Sequence, residues 1–286
     1  MATASQIHQP PSFRAVLMAR RSTVVALVCF VLIVLACYVL PTLDLTAIGK
    51  MSVRNRLTPP GADYFLGADA FGRDVLGRLL VAGQTSLQIG LGVAILSSSA
   101  GIVIGLVAGF FRRLDTPLSR LIDAMMAFPD ILLALSLVAI FGGTVGNVIL
   151  ALSIVYTPRV ARIVRASTLV VRELPYVEAA RALGSSTLTI MVTHVLRNIL
   201  SPILVQATFI FAYAMLAEAG LTFLGVGVDP STPTWGTMVN EGRQYIDNAF
   251  FLILFPGVAI ALSVLSLQLV GDGLRDALDP KLNKET

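Results

Sequence analysis

The sequence predicts an all-α integral membrane protein with six transmembrane helices and both termini on the cytoplasmic side. Three observations carry this reading. Hydrophobic residues make up 56% of the chain and charged residues only 13%, with a mean hydropathy of +0.82, whereas a soluble domain carries roughly 25% charge. Apolar runs near the length that crosses a bilayer, about 20 residues, recur along the 286 residues and leave no room for a large soluble domain. The basic residues concentrate in alternate connecting segments.

The first run, residues 24–40, is seventeen apolar residues bounded by Arg20-Arg21 and Pro41. Its Val34-Leu35-Ala36-Cys37 faintly resembles a lipoprotein cleavage box, but the apolar run continues past Cys37 and more membrane follows, so an uncleaved first span is expected. Cys29 and Cys37 lie about 12 Å apart along such a helix, too far for a disulfide. Further spans are expected at 86–111, 124–141, 145–165, 199–220 and 249–271. Pro158 and Arg159 interrupt the inner half of the fourth. With a cytoplasmic N-terminus, the inside segments hold fifteen Lys and Arg and the outside segments six, namely Lys50, Arg54, Arg56, Arg73, Arg78 and Arg243. That is the positive-inside bias. The longest outside loops are 42–85 and 221–248, and Trp235 in the second reads as an interfacial anchor. By segment, the chain divides into 1–85 (tail, first span, external loop), 86–275 (transmembrane core with a cytoplasmic helix near 175–184) and 276–286 (cytoplasmic tail).

Between the fourth and fifth spans, Glu178-Ala179-Ala180-Arg181-Ala182-Leu183-Gly184 reads as a short polar helix on the cytoplasmic side. Pro175 suits its first position, where the missing N–H costs nothing, and Gly184 suits the left-handed position that ends it. Ala179, Ala180 and Gly184 keep its surface low enough for another protein to approach closely. A second helical pattern follows at once, with Ser185 or Ser186 as N-cap and Leu188, Met191, Val192, Val195 and Leu196 on one face. Two short helices in a bent arrangement at the membrane surface suggest a docking element.

Several chemistries are missing. No G-x-x-x-x-G-K-[ST] loop occurs, and none of the lysines, Lys50, Lys281 and Lys284, has that context, so the chain does not hold ATP in that way. The two histidines, His8 and His194, lack ligand-spaced partners, which leaves no metal site expected. No nucleophile–base arrangement is present, and basic residues beside apolar runs do not signal nucleic acid. Within the spans ionisable groups are few and costly. Asp130 is expected to pair with Arg159 or Arg162, a substrate contact being the alternative. Glu218 sits near the outer surface and is expected to be solvated. Gln206, Tyr213 and Tyr156, with Asp130 and Glu218, are the residues that line a polar translocation path if the chain forms one, although the first three serve equally well as interhelical hydrogen-bonding groups. Ser97, Gly101, Gly105 and Gly109 recur every four residues on one face of the second span, a pattern for close helix packing. Arg159, Arg162 and Arg165 form a stripe expected to reach lipid head groups, with contact to a cytoplasmic partner as the alternative.

Glu178-Ala179-Ala180, three residues, then Gly184 resembles the EAA motif of permease subunits in binding-protein-dependent ABC importers. Phe65-Leu-Gly-Ala-Asp-Ala-Phe-Gly-Arg-Asp-Val-Leu-Gly-Arg78, Met126-Ala-Phe-Pro-Asp130, Phe223-Leu-Gly-Val-Gly227 and the segment from Gly271 to Pro280 are similar to signatures of the second permease subunit of dipeptide/oligopeptide importers. The likeness covers nearly the whole chain. One departure is Arg197 after Leu196, where that family tends to Leu-Pro; Pro202 is then expected to turn the chain into the fifth span. The resemblance implies the type I ABC importer permease fold in a bacterial-type cytoplasmic membrane. It implies a homologous permease as heterodimer partner, two ATP-binding subunits and an extracytoplasmic substrate-binding protein. Glu178, Ala179, Ala180, Arg181 and Gly184 become the coupling helix. No cofactor is expected in this chain, ATP and magnesium belonging to the ATPase subunits, so the chain is not itself an enzyme. Peptides are the expected cargo, with nickel chelates, glutathione or haem as alternatives. Two other classes stay open: a self-sufficient secondary transporter, which the lack of an acidic relay counts against, and a structural or scaffold membrane protein, which would need no docking helix.

Overall fold

The computed structural model describes residues 20–43 and 51–278. Arg14, His8, Lys50, Lys281 and Lys284 lie outside them, as does the end of the signature that closes at Pro280. The described chain is mainly helical, with principal helices α1 (Arg21–Val39), α2 (Val75–Phe110), α3 (Arg112–Met126), α4 (Asp130–Phe141), α5 (Val145–Val171), α6 (Pro175–Ala182), α7 (Leu200–Phe223), α8 (Trp235–Gly242) and α9 (Phe251–Leu278). Five helical runs are long and apolar enough to cross a membrane, and the broken pair α3–α4, bent by 90°, makes a sixth candidate if it counts as one span.

That bend is the main departure from the expected spans. The third span is not one helix over 124–141. Pro129 removes a backbone donor and pushes the residue before it out of the helical region, so α4 starts only at Asp130. Its 12 residues rise about 18 Å, well short of a hydrocarbon core of about 30 Å. The other breaks were smaller. α5 runs straight through Pro158, which is buried, to Val171. The helical run into the fifth span is irregular, with a π turn over Ile190–Val195 and a 3-10 turn over Leu196–Ile199, and Pro202 lies in the first turn of α7.

The most extensive helix packing is α2 against α5. A Cβ on Gly101 would lie 2.4 Å from Val160 Cβ, one on Gly105 2.6 Å from the Ala161 carbonyl oxygen, and one on Gly109 2.6 Å from Thr168 Cβ. Ser97, at the head of the stripe, is fully buried and donates its hydroxyl to the Val93 carbonyl at 2.6 Å. In lipid, where tails are as apolar as leucine, such backbone-to-side-chain contact is what holds helices together. α7 lies across α2 and α9, and α1 lies along α9 with Thr23 filling the space beside Gly273. Arg20 pairs with Asp276 at 2.6 Å, so the start of α1 and the end of α9 share one end of the molecule.

α8 closes the opposite end. Trp235 is only 1% exposed; its indole N–H donates to the Leu79 carbonyl at 2.9 Å and its backbone N–H to Ser86 Oγ at 3.1 Å. It is therefore a plug between α8 and α2, not an interfacial anchor. The long loop between α7 and α9 carries a helix of its own, capped by Thr234, whose hydroxyl accepts from Thr237 N at 3.0 Å.

Candidate functional site

Three groups of residues carry what this chain can do, and the end of the molecule bearing α6 comes first. α6 is fixed at both ends by local rules. Leu174 is extended, Pro175 occupies the first position, and Gly184 takes φ +81°. Ser185 N donates to Ala180 O at 3.1 Å and Gly184 N to Arg181 O at 3.0 Å, the paired bonds of a Schellman stop. Val177 and Ala180, three apart, turn inward and pack with Ile190, Met191 and Val195. Glu178, Ala179, Arg181 and Gly184 turn outward, together with Leu183 at 87% exposure. Ala180 thus seats the helix instead of keeping its outer surface low. A Cβ on Gly184 would meet nothing within 4 Å, which leaves the outer surface open for a partner.

Ser186, of the two serines expected as cap, is the N-cap that follows, accepting from Thr189 N at 3.2 Å. The π turn then adds a residue to the cycle and rotates the buried face. Met191 and Val195 stay buried, Leu196 is half-buried, and Leu188 and Val192 swing out to solvent while Ile190 and Ile199 turn in. Tyr176 lies tilted beside His194, with ring centroids 6.3 Å apart.

The second group joins α5 to α3 and α4. Arg159 pairs with Asp130, Arg162 with Asp123 at 2.9 Å and Arg165 with Asp115 at 2.5 Å. Each member of the arginine stripe is met by an acid from the bent pair. The acids recur at seven- and eight-residue spacing while the arginines recur every three, in reverse order, which is the pattern of one helix crossing another. Arg172 adds a bond to the Gly109 carbonyl at 2.6 Å.

The Arg159 guanidinium also lies 5.3 Å from the ring centre of Tyr156 and 5.7 Å from that of Tyr213. Asp130, Tyr156 and Tyr213 border a cavity of about 200 Å³ with Ala134 and Leu216. The structure therefore gathers three of the five expected path residues. Gln206 borders a different cavity, of about 440 Å³, with Ser201 and Arg275. Glu218 stands apart and is not solvated: it is 1% exposed, and one carboxyl oxygen accepts the hydroxyls of Thr234 at 2.8 Å and Thr222 at 3.0 Å. Its burial follows from α8 folding back over α7, which no local spacing reveals.

The third group lies at the α8 end and gives a physical account of the 65–78 signature. Gly67 and Gly72 adopt positive φ; Asp69 accepts from Phe71 N and Arg73 N at 2.8 and 2.9 Å. Asp74 caps α2 by accepting from Gly77 N at 2.8 Å. Arg78 forks onto Glu241 of α8, one arm at 2.6 Å, and reaches Asp69 at 3.2 Å. Asp69, Arg73, Arg78 and Glu241 were not singled out from sequence as a cluster, although three of the four lie in that signature.

A helical membrane protein with five or six candidate crossings, polar groups between its inner helices and an exposed short helix at one end fits the architecture of a transport permease. Residues 101–284 match the family described as binding-protein-dependent transport system inner membrane component, and the chain belongs to that family. A Brucella suis biovar 1 (strain 1330) protein named as a peptide transport system permease is 50% identical over 269 residues, 94% of this chain and 91% of its own length. The di/tripeptide transport system permease protein DppC of Pseudomonas aeruginosa (strain UCBPP-PA14) is 46% identical over 79% of this chain and 77% of its own. The glutathione transport system permease protein GsiD of Pectobacterium atrosepticum is 41% identical over 78% of this chain and 74% of its own.

Proposed function

We propose that this chain is one translocating subunit of an ATP-driven importer of short peptides, pairing with a related permease and taking its energy from two separate ATPase subunits through α6. The observation that carries this reading is α6 itself, an eight-residue helix stopped at both ends, seated by Val177 and Ala180, and presenting Glu178, Ala179, Arg181, Leu183 and Gly184 outward. ATP and magnesium belong in this scheme to the partner subunits. A substrate-binding protein delivers cargo at the α8 end. The positive-inside bias supports a cytoplasmic position for α6 and for both termini.

Closure of the ATPases would pull α6 as a lever, and its apolar seat would pass the motion to α5 and α7. Asp130, Arg159, Tyr156 and Tyr213 then border the path. An ion pair with members 33% and 36% exposed is costly against lipid, so it faces water or another subunit. Peptide cargo is supported by the names of relatives at 50% and 46% identity; glutathione, itself a tripeptide, is the second reading, on a relative at 41%.

Gly184→Trp and Glu178→Lys test the coupling role. Position 184 is open on this chain's side, so the tryptophan collides only with a docked partner, apart from the cost of a side chain at positive φ. In a reconstituted complex, both variants are expected to insert and to lose binding-protein-stimulated ATP hydrolysis and peptide uptake. Wild-type coupling in Gly184→Trp would refute the role of α6.

A further inference from the structure

α3 has a face that the rest of the bundle does not cover. Ile122 is buried, and Asp115 and Asp123 turn to Arg165 and Arg162 of α5. The outward side is built from Arg113, Pro117, Arg120 and Ala124, all exposed and spaced i, i+4, i+7, i+11. Leu114 and Leu121 are exposed along its edge. Both acids of the helix therefore point at α5, while the charges on the outward side are cationic. Among the described residues neither Arg113 nor Arg120 has an acidic partner in ion-pair range. Exposed Phe111 and Phe128 stand just before and just after the helix.

The placement of the helix matters as much as its composition. α3 meets α4 at 90°, so it lies across the crossing direction instead of along it. It sits at the α6 end of the bundle, where Arg112 comes within 3.8 Å of Glu173 and Arg172 reaches the end of α2. An amphipathic helix in the plane of the interface, with arginines beside an apolar ridge, is built to bury leucine at the acyl boundary and hold its cations at phosphate level. We propose that this face of α3 binds anionic phospholipid head groups of the leaflet on the α6 side, with Arg113 and Arg120 on phosphate and Leu114 and Leu121 in the acyl boundary. The proposal needs only that the chain spans a membrane and does not depend on its cargo.

The test uses the complete transporter in nanodiscs of equal phosphatidylglycerol and phosphatidylcholine, with a photoreactive benzoylphenylalanine in place of Leu121. Cross-linked adducts are identified by mass spectrometry. The wild-type background is expected to capture phosphatidylglycerol preferentially. Arg113→Gln with Arg120→Gln is expected to cut that preference by up to about thirtyfold, from about fivefold for each cation near an anionic surface. Arg113→Lys with Arg120→Lys retains it. High salt should erase it in the wild type, a measurement that stands even where the glutamine variant fails to assemble. Capture of a peptide from a companion subunit would overturn the proposal and make this face a protein interface. Equal capture of the two lipids, insensitive to the arginines and to salt, would overturn it as well.

Discussion

Glu218 shows how one residue ties local structure to the whole α8 end. Its carboxyl takes hydroxyl donors from Thr222, one turn along α7, and from Thr234, the N-cap of α8. The other carboxyl oxygen has no partner among the described residues. A buried acceptor that satisfies two hydroxyls is costly to delete, because both donors lose their partner and a space is left behind. Glu218→Ala is expected to destabilise the assembled protein by about 2–4 kcal/mol, read as a fall in the thermal midpoint in detergent. Glu218→Gln keeps the accepting oxygen and should stay within about 1 kcal/mol of wild type. Equal midpoints for Glu218→Ala and wild type would remove Glu218 from the network. From sequence, this residue and Trp235 both read as near-surface groups. They sit close to a span end in the chain, but α8 folds back over α7 and α2 and buries them, and only the tertiary path decides that. Pro175 and Gly184 were legible for the opposite reason, since a first-position proline and a left-handed stop are local.

Among the elements, the α2–α5 pair and the bent α3–α4 pair set the frame on which α6 rides. The glycine stripe was readable because its four-residue period states which face packs. Its partner was not, since α5 offers only ordinary small and β-branched residues in return, namely Val160, Ala161, Val164 and Thr168. Likewise the α3–α4 bend was hidden inside an apolar window that Pro129 divides, although the run of acids at 115, 123 and 130 carried the signal. Contact through Gly105 is to the Ala161 carbonyl, a backbone atom that cannot rotate away. Overpacking there should cost about 1–3 kcal/mol. Gly105→Ala is therefore expected to lower the thermal midpoint and the yield of assembled protein. Gly257→Ala, where an added Cβ meets nothing within 4 Å, provides the control and should be neutral or slightly stabilising, since alanine is the better helix former. Equal loss in both variants would mean that glycine flexibility, not close approach, is what α2 needs.

At the scale of the molecule, the helices sort the polar groups into two ends. α6 and α3 share one, through Arg112, Glu173 and Arg172. The 51–74 segment and α8 share the other, through Arg73 and Glu241, 3.5 Å apart. α4, despite its 12 residues, carries the chain between these ends, because Gly143 just beyond it accepts from Asp229 N at 2.8 Å in the loop before α8. Six crossings follow, and sidedness becomes a single question with a sharp test. In a background with Cys29→Ala and Cys37→Ala, single cysteines at Ser185, beside α6, and at Ser231, before α8, report the two ends. A membrane-impermeant maleimide added to intact cells is expected to label position 231 and spare 185 until the membrane is opened, as the basic excess around α3, α5 and α6 dictates. The reverse pattern would place α6 outside, beyond the reach of any cytoplasmic ATPase, and would sink the proposed coupling. Labelling of both positions in intact cells would break the six-crossing arrangement and make the short α4 a re-entrant segment.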